Sequence, residues 1–239
     1  MPLLNVSPHD ATVELWIACA SRDLATAWRD AIPKATADEL AALREVERDR
    51  RIVQLALRRS VLAALLDRPL REIPLVTPTM GAITPPSPTV SISASHHDDM
   101  TVVAVAEGSH GLGVDIEPLY EPGWDDALSD VLVDRELADI EALSTAERPG
   151  AYFACWTLKE AIMKALGEGL SDRDPKSIEV TVPPAVAQLR SLDGLDAPKG
   201  WNLATLRLDR HVCSVAVVGA GGLFVRCRRW TVDLPPQTG

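Results

Sequence analysis

The chain has 239 residues, of which 46% are apolar and 24% charged, and its formal net charge is −10. This length and composition are typical of a globular protein with one large domain or two smaller ones. The acidic balance argues against nucleic-acid binding, which needs a basic face, and no apolar run reaches the roughly 20 residues of a membrane span.

The first elements predicted along the chain are a strand and a long helical region. An apolar run at 13–20 predicts the strand. Thr36 and Glu39 have the spacing of a capping box, in which each side chain bonds a backbone N–H at a helix start. The residues from there to Asp67 are rich in helix formers, and Pro69 ends the pattern.

An extended loop and three strands are predicted next. The loop lies at 74–89, where closely spaced prolines exclude a regular helix. The strands are β-branched runs at 90–94, 101–106 and 112–116, and residues 96–100 connect the first two.

The second half of the chain repeats the order of strand, helices and strands, after a break near residues 111–123. Helices are predicted at 125–143 and 150–166, with Gly167 as the stop of the second. Four further strands are predicted at 177–182, 201–208, 211–218 and 223–230.

The cysteines and the N-terminal residues indicate the cellular compartment in which the protein is expected. Cys19, Cys155, Cys213 and Cys227 form no CxxC pair and no zinc-like spacing, which predicts buried, reduced thiols. The first residues lack the basic and apolar regions of a secretory signal. We therefore expect a cytoplasmic protein.

The segment Gly113–Glu117 is the first candidate for chemistry. Side chains two apart in a strand share a face, so Val114 and Ile116 would face the core while Asp115 and Glu117 project together from the other side. Adjacent carboxylates repel unless a cation lies between them. Taken alone, the pair is a weak signal, and a half-buried strand with a solvated polar face is the simpler interpretation.

The segment Trp156–Leu170 is the second candidate. Lys159, Glu160 and Lys164 fall on or near one face of a predicted helix, and a Gly-Glu-Gly turn follows at once. A simple i,i+4 ion pair between Glu160 and Lys164, worth about 0.3–0.5 kcal/mol, is the alternative.

Brought together, the three carboxylates and two lysines of these segments predict a metal site beside a cationic one. Magnesium prefers a few carboxylates together with waters and phosphate oxygens. Lysines neutralise the charge on a transferring or leaving phosphate. The expected chemistry is an attack on a pyrophosphate.

The two segments resemble the paired signatures of the Sfp-type 4′-phosphopantetheinyl transferases, G-(I/V)-D-(I/V)-E and W-x-x-K-E-(A/S)-x-x-K-x-x-G-x-G-L, with every signature position filled. The resemblance implies an α/β (α+β) fold of two similar halves related by a pseudo-twofold axis, each a small sheet packed with helices. The active site would lie in the cleft between them. We expect residues 1–112 to form the coenzyme A side and residues 113–239 to carry the metal-binding and catalytic motifs.

The activity that the resemblance implies is that of a holo-carrier-protein synthase. It would transfer the 4′-phosphopantetheine arm of coenzyme A to a serine of an acyl or peptidyl carrier protein, release 3′,5′-ADP, and use Mg²⁺ or Mn²⁺. A monomer serving secondary metabolism, without membrane or nucleic-acid partners, is expected. A metal-dependent phosphohydrolase acting on coenzyme A and a non-catalytic carrier-binding module remain alternatives.

The resemblance also assigns roles to individual residues. Metal ligands would be Asp115, Glu117 and Glu160, and Glu160 would also be the general base. Lys164 would stabilise the leaving group. The expected contacts to coenzyme A are Arg51, Arg58, Ser95, His96, Lys159 and Lys164. Glu136 matches an acidic position near the site.

Three features depart from the family or leave a choice open. Gly81-Ala82-Ile83 lacks the lysine that the family often has there, and nearby arginines are expected to replace it. His97-Asp98-Asp99 is interpreted as a polar turn rather than an extra metal site. An apolar set at helical spacing predicts either a carrier-docking face or core: Trp124, Leu128, Val131 and Leu132.

Overall fold

A computed structural model describes residues 10–30, 32, 37–38, 40–73, 90–108, 111–219 and 221–230. The predicted loop at 74–89, including Gly81-Ala82-Ile83, lies outside the described residues, as do Thr36 and Glu39 of the predicted capping box.

Within the described residues, the N-terminal half includes three strands and two helices. They are β1 (Ala11–Cys19), α1 (Arg22–Arg29), α2 (Glu45–Leu66), β2 (Val90–His97) and β3 (Met100–Glu107). Ser21 caps α1 by accepting a hydrogen bond from the backbone N–H of Leu24, and α2 ends where Asp67 takes a left-handed φ of 48°. The strand β2 continues past its predicted end at residue 94, so Ser95 and His96 lie on a strand rather than after it.

The C-terminal half begins with β4 (Gly111–Pro118) and continues through three helices, α3 (Leu128–Val131), α4 (Asp134–Glu141) and α5 (Arg148–Leu166). Six strands follow: β5 (Ile178–Val180), β6 (Leu189–Leu192), β7 (Leu195–Asp196), β8 (Trp201–Leu208), β9 (His211–Val218) and β10 (Leu223–Arg229). Short 3₁₀ turns occupy Leu70–Glu72, Trp124–Ala127 and Pro175–Ser177.

The helix predicted at 125–143 is broken in two. Val133 has extended backbone angles (φ −79°, ψ 160°), and its N–H donates to the side chain of Glu136 at 3.0 Å. The side chain thus takes the place of a backbone acceptor and starts a new helix at Asp134. The prediction for the following helix is confirmed by α5, and Gly167 ends it with a left-handed φ of 77°.

The two main sheets repeat one topology. Their strand orders are β10-β1-β3-β2 and β4-β9-β8. In each half the first strand leads into helices, and the last strand of the following hairpin pairs antiparallel with that first strand. This confirms the mixed α+β fold with small sheets and helices. β5, β6 and β7 form a third small sheet inserted in the second half.

The final strand crosses back to the first half. β10 pairs in parallel with β1, from Ala11 opposite Leu223 to Ile17 opposite Arg229. The first sheet therefore contains residues from both ends of the described chain, and the division into 1–112 and 113–239 remains a proposal.

The main sheets pack against each other through a shared core. β1 and β3 contribute buried residues such as Leu15 and Val102, and β4 and β9 contribute Val114, Ile116 and Val215. Each of these side chains is fully buried, and burying one stabilises the fold by about 1.5–3 kcal/mol. One face of β4 packs in this core, so the strand is held in place. The polar side chains on its other face therefore have fixed positions.

Burial corrects one prediction and decides another that was left open. Cys155 and Cys213 are buried, but Cys19 and Cys227 are exposed, and all four thiols are free. Val131 and Leu132 are 5% and 3% exposed within the core around α5, and Trp124 and Leu128 pack against it. The set proposed for carrier docking is therefore core. Among the described residues, no helix combines the length and apolarity that crossing a membrane requires.

Candidate active site

The site is built where α5 packs directly on β4. A Cβ placed on Gly113 would lie 1.8 Å from the carbonyl oxygen of Ala161, and one on Gly111 would lie 2.5 Å from that of Ala165. Only glycine permits this approach of strand and helix backbones. The contact brings Glu160 and Lys164 of α5 beside Asp115 of β4, and it explains the glycine that opens the first motif.

We expect Gly113→Ala to lower the free energy of unfolding by about 1–3 kcal/mol or more, since the opposing atom is backbone and cannot rotate away. Urea denaturation measures the loss. Gly150→Ala is the matched control, because its new Cβ would meet only a Leu119 side-chain carbon at 3.8 Å. Equal stability of Gly113→Ala and wild type would contradict the close contact.

Asp115 is the buried centre of the site, with 4% of its surface exposed. Its Oδ1 accepts hydrogen bonds from Ser95 Oγ and Lys164 Nζ, each at 2.7 Å. Burial raises the pKa of this carboxyl, while Lys164 opposes the rise. Its other oxygen, Oδ2, is buried without a hydrogen-bond partner.

Glu160 is the second carboxylate of the site. Burial, and then the charge of Asp115, raise its pKa to about 7, although Lys164 acts in the opposite direction. Its Oε1 is also buried without a hydrogen-bond partner. A carboxylate with such a pKa can accept a proton near neutral pH.

The proton equilibrium of Glu160 predicts a pH-dependent stability. Because its pKa in the folded state is about 7 against an ordinary 4.5, ionisation destabilises the fold as pH rises from about 4.5 to 7. We expect Glu160→Gln to remove this loss, on the order of 1–2 kcal/mol after solvent screening, so that the variant gains on wild type at pH 8 but not at pH 4. Urea denaturation in the presence of a chelator measures both. The same difference at both pH values would contradict the shift.

Glu117, the third predicted metal ligand, has another partner. Its Oε2 lies 2.7 Å from Nδ1 of His97, and this hydrogen bond raises the pKa of His97. Asp98, with a left-handed φ of 48°, begins the tight turn after His97, as predicted. The contact of His97 with the site was not predicted, because β2 and β4 belong to different sheets and only tertiary packing brings the end of β2 beside β4.

The site contains carboxylates suited to binding a cation, but they do not form a complete set of metal ligands. Within the part of the chain that the structure describes, no three acidic, histidine or cysteine side chains lie close enough to hold a metal ion as they stand. Asp115 Oδ2 and Glu160 Oε1 nevertheless lack partners inside the protein, and buried carboxylate oxygens require one. These two oxygens fit a hard divalent cation.

Positive charge gathers on the opposite side of the site, where α2 faces β2. Burial and then Arg51 lower the pKa of Arg58 to about 10, and its Nε has no hydrogen-bond partner. His96 has its pKa lowered to about 4 by burial, then by Arg58, Arg51 and Lys164. Among the described residues, neither Arg51 nor Arg58 forms an ion pair with a carboxylate. Such a cluster is suited to an anion.

Lys159 does not lie in the cleft, contrary to the prediction. It is fully buried and forms an ion pair of 2.7 Å with Glu136, which is also fully buried. The other predicted contacts to coenzyme A, including Ser95, face the site and remain predictions. Ser95 here holds the carboxylate of Asp115.

Comparison with known proteins shows which proteins the chain that carries this site resembles. Residues 111–216 match the 4′-phosphopantetheinyl transferase superfamily. The chain is 30% identical over 190 residues to a phosphopantetheinyl transferase of Thraustochytrium sp., covering 72% of this chain and 65% of that protein. It is also 30% identical over 129 residues to the 4′-phosphopantetheinyl transferase HetI of Nostoc sp., covering 53% of this chain and 51% of that protein.

Two solved structures show weaker similarity. The holo-(acyl-carrier-protein) synthase of Thermotoga maritima is 20% identical over 46% of this chain and 63% of its own, with a TM-score of 0.37. The holo-ACP-synthase of Plasmodium yoelii is 18% identical over 46% of this chain and 95% of its own, with a TM-score of 0.35. Residues 111–216, which carry both motifs, thus match the 4′-phosphopantetheinyl transferase superfamily, and the chain spans about two thirds and about half of the lengths of the two transferases to which it is similar.

Proposed function

We propose that this protein transfers the 4′-phosphopantetheine arm of coenzyme A to a serine hydroxyl of an acyl or peptidyl carrier protein and releases 3′,5′-ADP. The observation that supports the proposal is that a set of side chains suited to an anion lies beside a set of carboxylates suited to a cation. Arginine side chains of α2 and the imidazole of His96 on β2 lie beside buried carboxylates of β4 and α5, whose oxygens Asp115 Oδ2 and Glu160 Oε1 lack partners. A pyrophosphate together with a divalent cation satisfies both groups.

Asp115 and Glu160 would hold Mg²⁺ or Mn²⁺, with Glu117 as a further ligand. The ion, when bound, supplies positive charge to the pyrophosphate oxygens. Its arrival also relieves the repulsion among these carboxylates that contributes to the high pKa of Glu160.

The residues of the chain supply the remaining chemistry. The serine Oγ attacks the phosphorus that carries the pantetheine arm and forms the new P–O bond. The bond from that phosphorus to the bridging oxygen breaks, and 3′,5′-ADP leaves with the electron pair. Glu160 accepts the serine proton, directly or through a water, as the carboxylate of α5 that lies beside Asp115 and Lys164. Lys164 stabilises the charge that grows on the leaving oxygen.

Arg51, Arg58 and His96 are proposed to bind the phosphates of coenzyme A. The guanidinium groups supply charge and paired N–H donors, which suit phosphate oxygens. His96 lies near the end of β2, and its imidazole can donate an N–H hydrogen bond to a phosphate oxygen.

We also propose that the protein works as a cytoplasmic monomer in secondary metabolism. The monomer is supported by the origin of the site, since the carboxylates, lysine and arginines all come from one chain. The division into a coenzyme A side at 1–112 and a catalytic side at 113–239 fits the positions of Arg58 and Glu160, and is part of the proposal.

Product analysis separates the proposal from its alternatives. The protein is incubated with coenzyme A and Mg²⁺, with and without an apo-carrier protein, and the nucleotides are separated by chromatography. Release of 3′,5′-ADP that requires the carrier supports transfer. Free 4′-phosphopantetheine formed without carrier would instead identify a phosphohydrolase, and unchanged coenzyme A with carrier bound would identify a binding module.

A further inference from the structure

The buried ion pair between Lys159 and Glu136 connects the catalytic helix to the segments behind it. Nζ of Lys159 lies 2.7 Å from Glu136 Oε2 and also donates to the carbonyl oxygens of Val131 at 2.8 Å and Pro175 at 3.1 Å. An ammonium has three N–H donors, so each of them has an acceptor.

Glu136 is bonded just as fully. Its Oε2 also accepts from the backbone N–H of Val133 at 3.0 Å, and its Oε1 accepts from that of Val180 at 2.8 Å. The pair therefore joins α5 to the end of α3, the start of α4 and the strand β5. Charges that are fully buried require such complete bonding, and the bonds fix the geometry of the groups that make them.

This network holds the side of α5 that lies opposite β4. Lys159 is about 200° around the helix from Ala161, whose carbonyl oxygen contacts Gly113. Close packing therefore fixes one side of the helix and the ion pair fixes the other. Glu160 and Lys164 lie on the flank between them.

The angle at which α5 is held determines where its two catalytic candidates point. A rotation of about 10° moves an atom roughly 6 Å from the helix axis by about 1 Å, and a displacement of that size can lower a catalytic rate by roughly 10²-fold. Lys164 Nζ lies 2.7 Å from Asp115 Oδ1, a distance that leaves little tolerance.

We propose that the Lys159–Glu136 pair is a positioning device that sets the rotation of α5 and so aims Glu160 and Lys164 at Asp115. Lys159 and Glu136 are positioning residues, since neither touches the site. The kinetic consequence rests on the proposed transferase function, whereas the geometric one does not.

The test replaces both charges at once. Lys159→Met alone would leave Glu136 as an uncompensated buried charge, which typically costs about 3–5 kcal/mol. The double variant Lys159→Met/Glu136→Gln keeps the side-chain shapes and an acceptor for Val180. We expect it to fold, to keep the KM for coenzyme A within about twofold, and to lose roughly 10–100-fold in kcat. A kcat within twofold of wild type would overturn the proposal.

A matched control separates positioning from stability. Val13→Ala removes a fully buried side chain of β1 in the other half, so it lowers stability without touching α5. We expect this control to retain the wild-type kcat. If it loses as much kcat as the double variant, the effect is one of general destabilisation and the proposal fails.

A crystal structure of the double variant gives a readout that needs no activity. We expect the contact between Lys164 Nζ and Asp115 Oδ1 to lengthen beyond hydrogen-bonding distance. If it stays at 2.7 Å the proposal is overturned, whether or not the wild type modifies a carrier. Absence of carrier modification by the wild type would reject only the transferase function. Glu136→Asp, which keeps both charges but shortens one side chain by a methylene, supplies the same readouts if the double variant does not fold.

Discussion

Replacing Asp115 with alanine is expected to reduce transferase activity to background while the fold survives. The substitution removes a proposed metal ligand and the group to which Lys164 and Ser95 donate. It also removes a buried charge that raises the pKa of Glu160, so the apo protein is expected to fold with a slight gain in stability. Lys164 is 26% exposed and can turn to solvent when its partner is gone.

Carrier modification and urea denaturation measure these two effects. Asp139→Ala is the control, because that carboxylate is 44% exposed and forms a surface contact with Arg190.

Chelation should inactivate the wild type reversibly, with Mg²⁺ or Mn²⁺ restoring activity. Calorimetry should show that Mg²⁺ strengthens coenzyme A binding to wild type but not to Asp115→Ala. A folded variant that binds both as tightly as wild type and still modifies a carrier would exclude this assignment.

Lys164→Ala is expected to lower kcat by roughly 10²–10³-fold, the scale of losing one preorganised donor. The ammonium is held by Asp115 Oδ1 at 2.7 Å and the carbonyl oxygen of Val114 at 3.2 Å, so it is in place before charge develops on the leaving oxygen. It should therefore stabilise the transition state more than bound coenzyme A.

Steady-state kinetics with varied coenzyme A separates kcat from KM for this variant. Lys176→Ala is the matched control, since that lysine lies in the same half and, among the described residues, donates to the carbonyl oxygen of Ser129 alone. We expect the control to retain wild-type kinetics. An unchanged kcat with only a higher KM for Lys164→Ala would make Lys164 a binding residue instead.

The two motifs predicted the residues at the centre of the site because the residues of each motif are close together in sequence. Asp115 and Glu117 follow from strand alternation, and Glu160 and Lys164 from helical spacing. The side of the helix to which the Lys159 side chain points could not be predicted from helical spacing. Lys159 is one residue from Glu160, about 100° around the helix, and spacing alone does not say which side packs on the strand. Gly113 carried the missing signal, because it marks the contact with the Ala161 carbonyl.

The extent of β2 depended on partners that are distant in sequence. Its alternating serines weaken the strand signal in the sequence. In the structure, however, Ser93 Oγ accepts a hydrogen bond from the backbone N–H of Val114, and Ser95 Oγ donates one to Asp115. These bonds cross from one half to the other, so the strand continues to His97 and brings it to Glu117. The same tertiary contact makes Ser95 a support of the site in addition to its predicted role.

The central claim is transfer to a carrier serine, and intact-protein mass spectrometry tests it most directly. An apo-carrier protein is incubated with this protein, coenzyme A and Mg²⁺, beside a carrier whose acceptor serine is replaced by alanine. We expect the first carrier to gain the mass of one phosphopantetheine moiety and the second to remain unchanged. No mass gain on any acyl or peptidyl carrier, with coenzyme A bound and Mg²⁺ present, would contradict the account.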